Sequence, residues 1–268
     1  MKNLLQKIIP DSLRFFRVRI NWFLSNYKFI QYNTSLYTNE LHGPATYKTD
    51  GLITSNNCDF INNEQFSKAY QKAKETNPWP GFTLQWRTYI VCWFANHVKN
   101  LEGDFVECGV NTGAYSRAVI EYINFDKLDK QFYLFDTYNG LDKSLVSEEE
   151  KIAGIDTYFG SYKNVYEQVK QTFAKFDNVK IIKGIVPYTL NECTSDKICY
   201  LSIDMNCVEP EITAVNYFWD KLVPGGVILL DDYGFPMHIH QKIAFDEFAK
   251  LKSVKILSLP TGQGIIIK

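Results

Sequence analysis

The sequence lacks an excess of charge of either sign, and it lacks long apolar runs. Its 268 residues carry 29 Lys plus Arg against 30 Asp plus Glu, so that the net charge is −1. Without a basic field a protein does not collect nucleic acid, and we expect no nucleic-acid partner. No segment offers the ~18–20 consecutive apolar residues of a membrane helix, and residues 1–10 lack the apolar core of a secretory signal. We therefore expect a cytoplasmic protein without a transmembrane segment.

Paired cysteines and the dinucleotide-binding motif GxGxxG are missing as well. The six cysteines are scattered, and no two of them form a CxxC pair. Most lie inside apolar runs, where cysteine behaves as a small hydrophobic residue, which favours a reduced protein without a structural zinc site. The glycine-rich segment 109–113 reads GVNTG and has no middle glycine. The missing middle glycine argues against a nicotinamide-dependent dehydrogenase.

Short apolar runs alternate with helical segments from residue 104 onward. Alternation of this kind predicts an α/β fold with a parallel sheet and helices on both faces, here a Rossmann-like domain over residues 81–268. Ahead of it, residues 83–100 have apolar positions at helical spacing, at 86, 90, 93, 94 and 98. The last two runs, VKILSL and GIIIK, are separated only by PTGQ. This connection is too short for a crossover helix and predicts a C-terminal antiparallel hairpin.

Residues 1–80 have a different character. Residues 1–30 are basic and aromatic. This pattern favours a helix that packs its aromatic stripe on the body of the protein or on a second subunit of a homo-oligomer. The alternative is an arm that binds a membrane surface or a partner. Residues 31–80 are irregular in pattern and end at NPWPG, residues 77–81, where two prolines and a glycine forbid a helix. We predict an N-terminal arm and a lid-like extension over residues 1–80.

The carboxyl ends of the predicted strands are the place to look for a ligand, because ligands of open α/β sheets bind there, where the strand order reverses. The first strand ends at Glu107 and leads into Gly109 and Gly113, which allow a tight turn before a helix. The second strand ends at Asp136, where an acidic residue commonly accepts hydrogen bonds from ribose hydroxyls. Together these signals favour an adenosyl-type ligand. The alternative is that Asp136 caps a turn with Thr137 and Gly140.

Four segments, GDFVECGVNTG, FDTYNGL, VKIIKGIVPYTL and PGGVILLDDYG, occur in this order, and the pair Trp86-Arg87 precedes them. They resemble the macrocin O-methyltransferase family, S-adenosylmethionine-dependent enzymes that methylate sugar hydroxyls in antibiotics. The resemblance implies a seven-stranded class I methyltransferase fold and a saccharide or other small-molecule acceptor. The cofactor-binding residues it implies are Glu107, Gly109, Asn111, Gly113, Ser116, Asp136, Thr137, Lys183, Gly184, Ile185 and Asp204.

Three aspartates follow two further apolar runs, Asp204 after the first and Asp231 and Asp232 after the second. If the two strands are neighbours, ~4.8 Å apart, the three carboxylates face one cleft. Their repulsion is relieved by a proton on one of them or by a bound cation, and oxygen ligands favour Mg²⁺ over the alternatives Mn²⁺ and Ca²⁺. The resemblance implies the same magnesium site. A structural alternative is that Asp232 caps a helix and Asp204 is solvated.

Asn206 departs from the family, whose DxD pattern has an aspartate there that acts as general base. An amide cannot take that proton. Either the metal alone acidifies the acceptor hydroxyl, or His238 or His240 takes the proton, or the protein methylates nothing. The expected function is thus a metal-assisted sugar O-methyltransferase. The alternatives are an inactive S-adenosylmethionine-binding scaffold protein and a metal-free methyltransferase of another acceptor.

Overall fold

The computed structural model describes residues 44–158 and 163–268, so that the predicted arm of residues 1–30 lies outside the described residues. The strands are β1 (Tyr47–Thr49), β2 (Leu52–Thr54), β3 (Asp104–Cys108), β4 (Phe132–Asp136), β5 (Val179–Lys183), β6 (Ile198–Ile203), β7 (Leu222–Leu230), β8 (Leu257–Ser258) and β9 (Gly264–Ile267). The α-helices are α1 (Glu64–Glu75), α2 (Gln85–Val98), α3 (Ala114–Ile123), α4 (Glu148–Ala153), α5 (Ile155–Tyr158), α6 (Tyr166–Phe173), α7 (Val208–Trp219) and α8 (Ile239–Leu251).

Seven strands form one sheet in the order β5-β4-β3-β6-β7-β9-β8. The five strands from β5 to β7 are parallel, whereas β9 runs antiparallel to both β7 and β8. The predicted parallel α/β sheet and its C-terminal antiparallel hairpin are confirmed. None of the helices in the described part of the chain is long and apolar enough to cross a membrane.

The core lies on both faces of this sheet, because successive side chains of a strand point to opposite sides. Phe105 of β3 packs in the layer that includes α2 and α3, and its neighbour Val106 packs in the opposite layer, which includes α7 and α8. Tyr200 and Leu201 of β6 divide in the same way. Burial on both faces explains why these strands have continuously apolar sequences. All six cysteines are buried free thiols.

Helix α2 buries only two of the five positions in the apolar stripe that its spacing predicts, Phe94 and Val98. The expected core positions 86, 90 and 93 are only partly buried or exposed, and the Trp93 side chain is 45% exposed. The buried face contains Arg87, Val91, Ala95 and Val98. The helix is apolar around most of its circumference, so spacing alone does not select a face. This rotation directs Arg87 inward.

The segment ahead of NPWPG is more regular than the sequence pattern indicated. Helix α1 buries Phe66, Ala69, Tyr70 and Ala73, which are spaced three and four residues apart. It packs against α3, so its apolar stripe joins the core of the sheet domain. Asn63 caps the helix by accepting a hydrogen bond from the Phe66 backbone N–H. The polar residues between these positions are the solvent face of an amphipathic helix rather than a loop.

Candidate active site

The strand order reverses between β3 and β6, and a large cavity opens at their carboxyl ends. The Asp204 backbone N–H after β6 donates to the Cys108 carbonyl at the end of β3, 2.8 Å away. The cavity volume is about 1090 Å³. Pockets for one small molecule commonly measure roughly 300–1,000 Å³, so this cavity lies at the upper end of the range for ligand sites.

Asp136 holds the glycine-rich loop in place. Its Oδ2 accepts hydrogen bonds from the backbone N–H groups of Val110 and Asn111, at 2.6 and 2.8 Å. Its Oδ1 accepts from the Tyr138 backbone N–H at 2.6 Å. The Thr137 hydroxyl lies 3.4 Å from Oδ1, but its single proton goes to the Gly140 carbonyl at 2.5 Å, so Oδ1 keeps a lone pair for a ribose hydroxyl. Asp136, Thr137 and Asn111 all line the cavity.

Glu107 supplies a buried carboxyl to the cavity. Glu107 is only 3% exposed. Burial raises the pKa of its carboxyl to about 8, although hydrogen bonds from Ser116 act in the opposite direction. No Lys or Arg of the described segments forms an ion pair with it. A carboxyl of this kind fits a ligand ammonium group, such as that of the methionine part of S-adenosylmethionine. Gly109 lines the cavity beside it, whereas Gly113 and Ser116 lie behind the lining.

The third predicted cofactor segment follows β5. Gly184 and Ile185 line the cavity after the edge strand β5, whereas the three aspartates follow β6 and β7 at the other end of the cavity. Lys183 does not line it, and its Nζ lies 4.4 Å from the centre of the Tyr166 ring in a cation–π contact. Two of the three residues predicted for the adenine end are therefore placed where a ligand could touch them.

Asp204, Asp231 and Asp232 meet in one cleft, because β6 and β7 are neighbouring parallel strands. One carboxylate oxygen from each residue lies within 4.8 Å of the others. Burial raises the pKa of Asp204 and of Asp231, and the like charges of the cluster raise both further. The cleft thus holds negative charge at an energetic cost that a cation would relieve.

Arg87 of α2 enters this cleft from the side. Its guanidinium NH2 bonds Asp231 Oδ2, donates to the Asp231 carbonyl at 3.0 Å and reaches Asp232 Oδ1 at 3.2 Å. Gln263 donates to Asp231 Oδ1 at 3.0 Å, and the Tyr115 hydroxyl donates to Asp231 Oδ2 at 3.4 Å. Asp231 is therefore the most fully bonded of the three carboxylates. The sequence pattern assigned no role to Arg87 or Gln263.

The cluster fits a divalent cation in charge and in donor chemistry. When ionised, Asp204, Asp231 and Asp232 carry three negative charges against the single positive charge of Arg87, and a divalent cation reduces this excess. Among the described residues, the hydrogen-bond donor to the Asp204 carboxylate is the Asn206 side-chain amide, at a long 3.5 Å. Asp232 Oδ2 faces His238 Nε2 at 3.5 Å. Asp204 and Asp232 thus retain lone pairs for a metal, and hard oxygen donors suit Mg²⁺.

The two candidate histidines differ in position. His238 is buried and lines the cavity, with Nε2 facing Asp232 and Nδ1 in contact with Gln241 Oε1. Gln241 in turn donates to Glu211 Oε1 at 2.9 Å. His240 lies two residues further along, in the first turn of α8, and does not line the cavity. Of the two, His238 is the one placed beside the acidic cluster.

Asn206 is fixed by Glu211 of α7. The backbone N–H groups of Met205 and Asn206 donate to Glu211 Oε1 at 2.9 and 3.0 Å. Burial raises the pKa of Glu211 to about 8 against these hydrogen bonds. Asn206 has a φ of 62°, a left-handed conformation that asparagine adopts more readily than most residues. Its amide lines the cavity and points toward Asp204.

A fourth carboxylate, which the sequence pattern did not indicate, reaches the same region. Asp50 lies in the turn between β1 and β2, and its Oδ1 is 3.6 Å from Arg87 NH1. Burial raises its pKa to about 6, Arg87 opposes this, and Asp231 and Asp232 add to it. The dipeptide Asp50-Gly51 was a turn signal in the sequence, but nothing local showed which way the turn would point.

Comparison with known proteins agrees with this architecture. The solved structure of the O-methyltransferase NovP matches with a TM-score of 0.58 at 19% identity, over 68% of this chain and 79% of that one. The calicheamicin methyltransferase CalS11 matches with a TM-score of 0.53 at 13% identity, over 84% and 98%. No curated protein sequence matches significantly. The profile of the family described as macrocin O-methyltransferase (TylF) matches residues 59–257, about three quarters of the chain. The chain therefore belongs to the macrocin O-methyltransferase family, and it is an S-adenosylmethionine-dependent methyltransferase.

Proposed function

We propose that the protein transfers the methyl group of S-adenosylmethionine to a hydroxyl of a sugar or of a glycosylated small molecule, with Mg²⁺ held by Asp204, Asp231 and Asp232. The observation that carries this proposal is the meeting of three carboxylates within 4.8 Å at a cavity of about 1090 Å³ that also contains the predicted cofactor residues Glu107, Gly109 and Asp136. When bound, the cation supplies Lewis acidity that makes a hydroxyl a stronger acid. The family and the folds of NovP and CalS11 support O-methylation as the chemistry.

The residues of the chain divide the work between the two ligands. Glu107 binds the ammonium of the cofactor, and Asp136 shapes the loop at its ribose while Gly184 borders its adenine. Asp204 lies at the junction, since it follows the strand next to the cofactor loop and belongs to the acidic cluster. Direct attack on the sulfonium methyl then depends mainly on alignment, because the positive charge already activates the leaving group.

A pair of aspartate variants tests the proposal. We expect Asp204→Asn to abolish methyl transfer to macrocin and to a panel of free and nucleotide-activated hexoses. S-adenosylhomocysteine binding should persist in this variant, while stabilisation by Mg²⁺ in thermal unfolding should disappear. The control Asp220→Asn, at an exposed position after α7, should retain all three properties. Transfer that survives a chelator would contradict the metal and favour a metal-free mechanism.

An inactive scaffold is the second candidate, and Asn206 is the observation that favours it. A carboxamide at this position cannot act as a base, although it can orient the acceptor or bind a metal through its oxygen. On our proposal Asn206→Asp preserves or raises the activity of a protein that is already active. If the unaltered protein binds S-adenosylhomocysteine but methylates no acceptor, and only Asn206→Asp restores transfer, the scaffold is the correct function.

A further inference from the structure

The turn between β1 and β2 presents a carboxylate to the cavity instead of to solvent. Asp50 and Gly51 both have positive φ angles, 52° and 74°, as expected for the two central residues of a tight hairpin turn. Aspartate and glycine are well suited to these angles, and such tips are usually exposed. Here the Asp50 side chain is only 16% exposed and lines the cavity.

Three contacts hold the hairpin in this orientation. The Thr49 hydroxyl bonds the Thr83 hydroxyl at 2.8 Å, and the Tyr47 hydroxyl lies 3.5 Å from the Thr83 carbonyl. Gly51 lies against Phe235, where a Cβ would come within 3.8 Å of the ring. Phe235 also stacks over the Arg87 guanidinium, 4.9 Å from its carbon. The hairpin is thus attached to the wall of the cavity that carries Arg87.

No donor among the described residues makes a hydrogen bond to the Asp50 carboxylate, which forms an ion pair with Arg87 at 3.6 Å. The charged groups that face it are Arg87 on α2 and Asp231 and Asp232 after β7, with the Tyr47 hydroxyl on its own hairpin. A partly buried carboxylate without donors is costly unless a ligand completes its hydrogen bonds. An acceptor hydroxyl in the cavity is such a donor.

We propose that Asp50 is the general base of this enzyme and takes over the role that Asn206 cannot perform. This inference rests on the proposed function. The acceptor hydroxyl gives its proton to Asp50 Oδ as its oxygen forms a bond to the methyl carbon. The methyl–sulfur bond breaks at the same time, and its electron pair stays on sulfur, leaving neutral S-adenosylhomocysteine. His238 is less suited, because Nε2 faces Asp232 and Nδ1 contacts Gln241.

The variant Asp50→Asn tests this assignment without disturbing the turn, since asparagine has the same shape and tolerates the same positive φ. We expect kcat to fall about 10²–10⁴-fold, as for the loss of a general base. Affinity for S-adenosylhomocysteine should stay unchanged, and the urea midpoint at neutral pH should not fall, because the variant removes a partly buried charge whose pKa is raised by burial. In the unaltered enzyme at saturating cofactor, kcat should decline with acidification near or below pH 6, following the raised pKa of Asp50. The variant should lose this decline.

Asp59→Asn serves as the matched control, because Asp59 is exposed and lies in the same N-terminal segment outside the cavity. If the enzyme is active and Asp50→Asn keeps both its kcat and the decline of kcat at acid pH, the assignment of Asp50 is wrong while the proposed function stands. The assignment of Asp50 is also wrong if the decline of kcat at acid pH disappears in His238→Asn but not in Asp50→Asn, which would identify the histidine as the base. If the unaltered protein methylates neither macrocin nor the hexose panel, the proposed function fails, and the role of Asp50 falls with it.

Discussion

Replacing Gly109 by alanine should destabilise the protein and displace Asp204, one of the proposed metal ligands, at the same time. Gly109 follows β3 with a φ of 91°, and a Cβ built on it would lie 1.8 Å from the Asp204 carbonyl oxygen and 2.4 Å from its carbon. The Gly109 backbone N–H donates to the Phe135 carbonyl, which ties it to β4. The Asp204 backbone N–H is likewise bonded to the Cys108 carbonyl, so neither Gly109 nor Asp204 can move away without loss of hydrogen bonds between the strands.

The magnitude follows from two costs. A left-handed conformation costs a residue with a Cβ roughly 1–2 kcal/mol, and overpacking against rigid neighbours costs typically about 1–3 kcal/mol more. We expect Gly109→Ala to lower the free energy of unfolding by roughly 2–5 kcal/mol, a large share of the ~5–15 kcal/mol typical of a folded domain. Because the displaced backbone carries Asp204, stabilisation by Mg²⁺ should decrease as well.

Gly81 offers a control that separates the two costs. Its φ is 76°, similar to that of Gly109, but a Cβ there meets nothing within 4 Å. Gly81→Ala should therefore cost only the conformational ~1–2 kcal/mol in urea unfolding and leave S-adenosylhomocysteine binding intact. Equal losses in the two variants, within about 0.5 kcal/mol, would refute the close approach of Gly109 to Asp204.

Two further predictions concern buried charges. If Glu107 binds the ligand ammonium as proposed, S-adenosylhomocysteine affinity should rise with pH, by up to about tenfold per unit below pH 8, because the pKa of Glu107 is raised to about 8 and only its ionised form pairs with the ammonium. Calorimetry at several pH values checks this, and an equal pH dependence in Glu107→Gln would contradict it. Arg87→Met should cost about 3–5 kcal/mol in urea unfolding, because buried Asp231 loses its counter-charge, and Mg²⁺ should recover part of the loss. Arg117→Met removes another buried arginine, which pairs with Glu121 away from the cluster, and Mg²⁺ should not rescue it.

The alternation of apolar runs and helical segments was sufficient to predict the sheet domain and its C-terminal hairpin. Continuous apolar strands have one stable environment, a sheet covered on both faces, and PTGQ is too short for any crossover. The same reasoning located Asp204, Asp231 and Asp232 at the ends of their strands. The carboxyl ends of neighbouring parallel strands lie at one edge, so their meeting follows from topology.

Tertiary structure alone decided which other charges join them. Helix α2 is apolar on nearly every side, so only its packing against the sheet reveals that Arg87 faces inward and Trp93 outward. Asp50 is 37 positions from Arg87 along the chain, and the turn that carries it has the same local conformation whether it points to solvent or into a cavity. Local sequence determines backbone conformation and burial periodicity, whereas the direction of a hairpin and the rotation of an all-apolar helix depend on packing between distant segments.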